Sequence, residues 1–202
     1  VVGISYAWFT YLETKSLASF TAGEIDLSLR ANHEIVIDHY DLSDLAFIDY
    51  EDDLINDISG TFDDMASVLR LDFVASEQSV AIKNQIELIE NDSTEGLIYL
   101  ILFEGLNLSI EDPIQSNYHD IMTSIIQGEV SKEDQLQAIK DYNQTVIDSL
   151  ETIILTANES ITIQIVFYGD YEGLPLGEDY LNQSFPLTLI IHTINDKGVF
   201  LP

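Results

Sequence analysis

Leu97-Ile98-Tyr99-Leu100-Ile101-Leu102-Phe103-Glu104-Gly105-Leu106 carries one charge in ten residues and is apolar on both parities. A run this short with oil on both sides predicts a strand covered on both faces. Working outward, strand signals recur on either side. Ile161, Ile163, Ile165 and Phe167 alternate with Thr162, Gln164 and Val166, and Ile25, Leu27 and Leu29 alternate after Gly23. Ala66–Ala75, Val80–Ile89, Ile35–Ile37, Glu151–Leu155 and Phe185–Ile194 read as further strands. Asn91–Gly96 and Ala157-Asn158-Glu159 read as turns, and Gly169–Asp179 as a Gly/Pro-rich loop.

The middle changes period. Pro113 suits a first helical turn, and Ile114, Tyr118, Ile121 and Ile125 recur at helical spacing up to Gly128. Ser131 with Asp134 three residues on resembles a capping box, opening a second helix through Leu136, Ile139, Val146, Ile147 and Leu150. Strands outnumber helices, so the expected architecture is mainly β: a β-sandwich with a helical insertion around residues 113–150. No linker or repeat divides the chain.

Its 202 residues carry 36 acidic against 7 basic side chains, a formal net charge of −29. Such a field repels nucleic acid and anionic membrane surfaces and attracts cations. No cysteine is present, which excludes disulfides and thiolate chemistry. No stretch is long enough for a membrane-spanning helix. The chain opens on Val1 and not Met, so a removed targeting segment is expected upstream.

Val1-Val2-Gly3-Ile4-Ser5-Tyr6-Ala7-Trp8-Phe9-Thr10 is uncharged, at a chain end where polar, frayed residues are usual. At period two, Val2, Ile4, Tyr6 and Trp8 form a bulky row, with Gly3 and Ala7 in the small row opposite. Burying the bulky row contributes on the order of 1.5–3 kcal/mol per side chain. Ordering ten residues costs roughly 1–2 kcal/mol each. Backbone hydrogen bonds to flanking strands and a preformed groove must supply the difference. The reading is a donor strand, residues 1–12, that completes a neighbouring copy, followed by a single domain over 13–202. Tyr6 and Trp8 are its expected anchors, and Gly3 or Ala7 the point of close backbone approach.

The motifs at both ends carry a family resemblance. Tyr6-Ala7-Trp8-Phe9-Thr10, followed by Phe20-Thr21-Ala22-Gly23-Glu24-Ile25-Asp26-Leu27, resembles the opening of the TasA and camelysin family. Ala157-Asn158-Glu159-Ser160 stands where that family usually has Pro-Gly-Glu-Ser. Tyr180-Leu181-Asn182-Gln183-Ser184-Phe185 with Leu187, Leu189 and Ile191 resembles its last strand. The likeness covers about a third of the chain and leaves out the helical middle. It implies a jelly-roll-like sandwich, secretion, and extracellular fibres serving biofilm, adhesion or contact between cells. In the related archaeal bundling pili each subunit's N-terminal strand completes the next. The expected partner is therefore the chain itself. The runner-up is a monomeric cell-surface, camelysin-like protein, on that reading a candidate metalloprotease, whose first strand folds into its own sheet.

Camelysin-like members have been classed as metalloproteases, but these residues do not favour that chemistry. His33 and His39 are six apart in a segment that prefers a strand, whereas a zinc protease helix needs two His four apart. No enzymatic activity and no required cofactor are expected. Calcium is the auxiliary to consider, because Asp38–Asp64 holds ten acids and no Lys or Arg. Asp49, Glu51, Asp52, Asp53, Asp57, Asp63 and Asp64 are hard oxygen donors, although their spacing is not that of an EF-hand. The alternative is a solvated acidic face. Finally, Asn91, Asn107, Asn143, Asn158 and Asn182 stand in glycosylation sequons, as on a cell-surface glycoprotein; the alternative is that turns favour Asn, Ser and Thr in any case.

Overall fold

A computed structural model describes residues 5–6, 11–16, 25–35, 43–57, 60–89, 96–173 and 188–199, with the backbone alone for 5–6, 11–16 and 43–44. The described part is mainly β. Its strands are β1 (Ser5–Tyr6), β2 (Tyr11–Ser16), β3 (Leu27–Ala31), β4 (Glu34–Ile35), β5 (Ser43–Leu45) and β6 (Phe47–Ile48). There follow β7 (Ser67–Ala75), β8 (Ile82–Ile89), β9 (Leu97–Leu106), β10 (Ser160–Asp170) and β11 (Thr188–Asn195). Helices α1 (Tyr118–Ile126) and α2 (Lys132–Leu150) lie between β9 and β10.

The larger sheet runs β4-β3-β7-β10, with β9 on the far side of β10. Where β7 ends, β6 takes over beside Gly169 and Asp170, parallel to β10. A Cβ on Gly169 would lie 2.6 Å from the Phe47 ring, so only glycine lets that ring lie against the strand. The smaller sheet runs β2-β11-β8, antiparallel between β8 and β11 and parallel between β11 and β2.

Apolar alternation decides how the layers stack. Ile161, Ile163, Ile165 and Phe167 of β10 join Leu69, Leu71 and Phe73 of β7 in one buried cluster with Ile82, Ile86, Leu189 and Ile191 of the smaller sheet. The opposite face of β10 presents Val166 and Tyr168 to Met122, Ile126 and Ile139 of the helices. Strand β10 is thus buried on both faces along nearly its whole length. Strand β9 is so only in its first half, because its last residues run out to an exposed rim.

Helix α2 begins where the capping box places it: the Ser131 hydroxyl accepts from the Asp134 N–H at 3.1 Å. Helix α1 starts at Tyr118 and not at Pro113. Its first turn is capped from a distance, by the Asp63 carboxylate accepting from the His119 N–H at 2.7 Å, which local sequence cannot show. Residues 151–155 are not a strand. They unwind from α2 in two tight turns and pair with the sheet backbone through one bridge, between Leu155 and Ile82. The acidic stretch also holds more structure than its composition suggests: β5, β6 and a turn of π-type helix over Tyr50–Ile55. Tyr11–Ser16, polar in sequence, forms the edge strand β2, held by backbone pairing that does not require apolar side chains.

Candidate functional site

The N-terminal segment enters the described structure at two places. Ser5 pairs with Leu45 and Tyr6 with Ser43 in a two-residue ladder, and β2 lies along β11 from Tyr11 onward. Val2, Gly3, Ile4, Ala7 and Trp8 lie outside the described residues, as does the side chain of Tyr6.

Three acids of the cluster, Asp49, Asp53 and Asp63, accept hydrogen bonds from the backbone. The Asp49 carboxylate accepts from the N–H groups of Glu51 (3.1 Å) and Asp52 (3.0 Å), while the Asp53 carboxylate accepts from the Asp49 N–H (2.8 Å). Asp63 caps α1, and the nearby His119 Nε2 meets the Leu54 carbonyl at 2.9 Å. Glu51, Asp52 and Asp64 are exposed, and Asp57 is half-buried in the left-handed region at φ 43°. Among the described residues, no three acidic or histidine side chains converge as a metal would require.

Of the five sequon asparagines, Asn91 and Asn182 lie outside the described residues. Asn107 and Asn158 are exposed, at φ 54° and 66°. Asn143 is 3% exposed. Its Oδ1 accepts from the Ile101 N–H at 2.8 Å and its Nδ2 donates to the Tyr99 carbonyl at 2.9 Å. The amide acts as a partner for the outer edge of β9. Helix amphipathicity placed Asn143 on α2 but could not show that its face would meet a strand edge.

The feature sequence reading missed is a polar seam on the larger sheet. Both arginines of the chain, Arg30 on β3 and Arg70 on β7, line one cavity of about 70 Å³. Asp72, Ser160, Leu108 and Ile110 contribute to its walls. Arg70, 4% exposed, is held on three sides. Its Nε donates to Asp72 Oδ1 at 3.1 Å, its Nη2 to the Ser109 carbonyl at 3.1 Å, and its backbone N–H to Asn32 Oδ1 at 2.8 Å. The same Asp72 oxygen accepts from the Thr162 hydroxyl at 2.7 Å, and His33 Nδ1 lies 4.0 Å from the other oxygen. Arg30 stands opposite Asp72 in the ladder, yet its Nε is buried with no hydrogen-bond partner. Burial raises the pKa of Glu104; a backbone hydrogen bond from Gln115 and the charge of Arg70 act against that rise. The signal was present: Arg70 and Asp72 interrupt an apolar strand, opposite Gln164 and Thr162 interrupting another.

A second polar junction ties the helices to the sheet. Lys132 Nζ reaches Asp170 Oδ2 at 2.8 Å and Glu172 Oε2 at 2.7 Å, and lies 4.7 Å from the centre of the Tyr50 ring. The Tyr50 hydroxyl donates to Gln135 Oε1 at 2.9 Å. Burial, with the charge of Asp170, pushes the Tyr50 pKa up to about 12. Burial works against the Lys132 ammonium, but its hydrogen bonds to the two carboxylates hold its pKa above the ordinary value.

No family model, curated protein or solved structure matches this chain. Among the described residues, no helix is long and apolar enough to cross a membrane. His33 sits at φ 75° in the tight turn between β3 and β4, not on a helix, and His39 lies outside the described residues. Chemically, the arginine cavity is equipped to bind an anion.

Proposed function

We propose that this chain is a structural subunit that polymerises with copies of itself into an extracellular, cell-surface filament, each N-terminal strand completing the adjoining copy. On this reading its two sheets form a jelly-roll-like sandwich of the TasA and camelysin type. The chain is secreted, and cations, calcium among them, ease the approach of subunits charged at −29. One observation carries the reading. An uncharged stretch of ten residues with a bulky apolar row precedes a β domain. Head-to-tail contact of this kind does not close, and so makes a fibre.

The pairing of Ser5 and Tyr6 with β5 favours a second reading, in which the strand folds back onto its own subunit and the protein stays monomeric. Trp8 separates the two, because it is the one tryptophan in the chain. Donation between copies makes its emission shift to the blue as protein concentration rises, with filaments in electron micrographs. A chain lacking Val1–Thr10 should then give single particles. Emission independent of concentration, with single particles from the intact chain, would establish the fold-back instead.

A further inference from the structure

We propose that the cavity between Arg30 and Arg70 is a binding site for a single carboxylate group. In a chain with 36 acids and two arginines, both arginines meeting in one cavity marks a built feature. Arg70 is answered by Asp72, whose Oδ1 also takes the Thr162 hydroxyl, and its charge also acts on Glu104. Arg30 has no carboxylate within 4.0 Å among the described residues, and its Nε is buried without a partner. Arg30 lines the cavity, and a planar carboxylate is the group whose geometry matches a guanidinium.

Size and walls narrow the ligand. A water needs about 10–15 Å³ of such space. A cavity of about 70 Å³ therefore takes a carboxylate with a short stem but not a sugar phosphate. Leu108 and Ile110 wall it with apolar surface, which lowers the local dielectric and strengthens a charged hydrogen bond. Ile110 is half-exposed at 51%, so an arriving group meets an open side. The carboxylate can come from a small free acid or from an Asp or Glu of a second copy. The site itself does not depend on polymerisation.

The test is thermal unfolding of the full chain in sodium acetate, against sodium chloride and neutral acetamide at matched ionic strength. A ligand that binds the folded state raises Tm by mass action. Acetate should raise the wild-type Tm by several degrees beyond chloride or acetamide, and Arg30→Gln should lose that increment. Ile110→Trp, which fills the cavity while keeping both arginines, should lose it too and serves if Arg30→Gln folds poorly. Equal increments in wild type and variants, or none beyond chloride, overturn the proposal. Sedimentation then identifies the source. Association that acetate competes away, and that Arg30→Gln lacks, identifies an acid of a second copy. Association indifferent to both identifies a free carboxylate. Neither outcome depends on whether Val1–Thr10 is donated.

Discussion

At the scale of single residues, Asn143 shows how a side chain can act as a strand. Its amide satisfies one donor and one acceptor on β9, the same groups another strand would take. Asn143→Ala leaves both orphaned in a buried place and should cost about 2–4 kcal/mol in chemical denaturation. The same geometry predicts that peptide mass mapping of glycosylated protein finds Asn143 bare, with any modification among the described sequons at Asn107 or Asn158. Gly169 makes a complementary case. An added methyl there would sit 2.6 Å from the Phe47 ring, so Gly169→Ala should lose about 1–3 kcal/mol through displacement of that ring.

At the scale of elements, the junction at the start of α2 links helix, π-type turn and central strand through Lys132, Tyr50 and Asp170. The Asp170 side chain is 3% exposed and Lys132 is a third open to solvent. Lys132→Met therefore leaves a nearly buried carboxylate without its partner. The expected cost is about 1–3 kcal/mol, reduced from the fully buried case by solvent around the ammonium. The same junction predicts alkaline lability. Folded-state pKa values of about 12 for Tyr50 and Tyr118 lie above the ordinary 10.0, chiefly through burial. Above pH 10 the unfolded chain loses these protons while the folded chain keeps them, so stability is full below pH 10 and falls between 10 and 12. The raised Lys132 pKa acts in the same direction: its contribution is full below the ordinary 10.5 and is lost above it. Unfolding curves from pH 9 to 12 check this, and Tyr50→Phe should flatten the decline.

At the scale of the whole molecule, a formal charge of −29 sets the terms of any association. Repulsion between copies falls as salt shortens the screening length, from roughly 30 Å at 0.01 M to 8 Å at 0.15 M. Assembly followed by light scattering should therefore accelerate with sodium chloride. An assembly rate that is flat with salt would contradict charge-limited approach. The part of the fold legible beforehand was the part written in local periodicity: β7, β8, β9, β10, α2 and the Ser131 cap. Elements that depend on distant partners were not legible, namely α1's cap from Asp63 and the polar strand β2 held on β11 by its backbone. The arginine cavity belongs to this second group. Residues forty apart become neighbours only when β3 and β7 pair.

What the sequence by itself determined is the class of the protein and its surface character. Alternating apolar residues with turn residues between them admit few folds other than packed sheets, and 36 acids against 7 basic residues set a formal charge of −29. What only the tertiary structure decided is the use of the polar exceptions. Asn143, Arg70 and Asp72 are ordinary letters until sheet pairing and helix docking bury them, with Arg30 half-buried beside the last two. Once water is gone, each hydrogen-bonding group needs a partner, and where the partner stands, or is missing, is a matter of three-dimensional proximity.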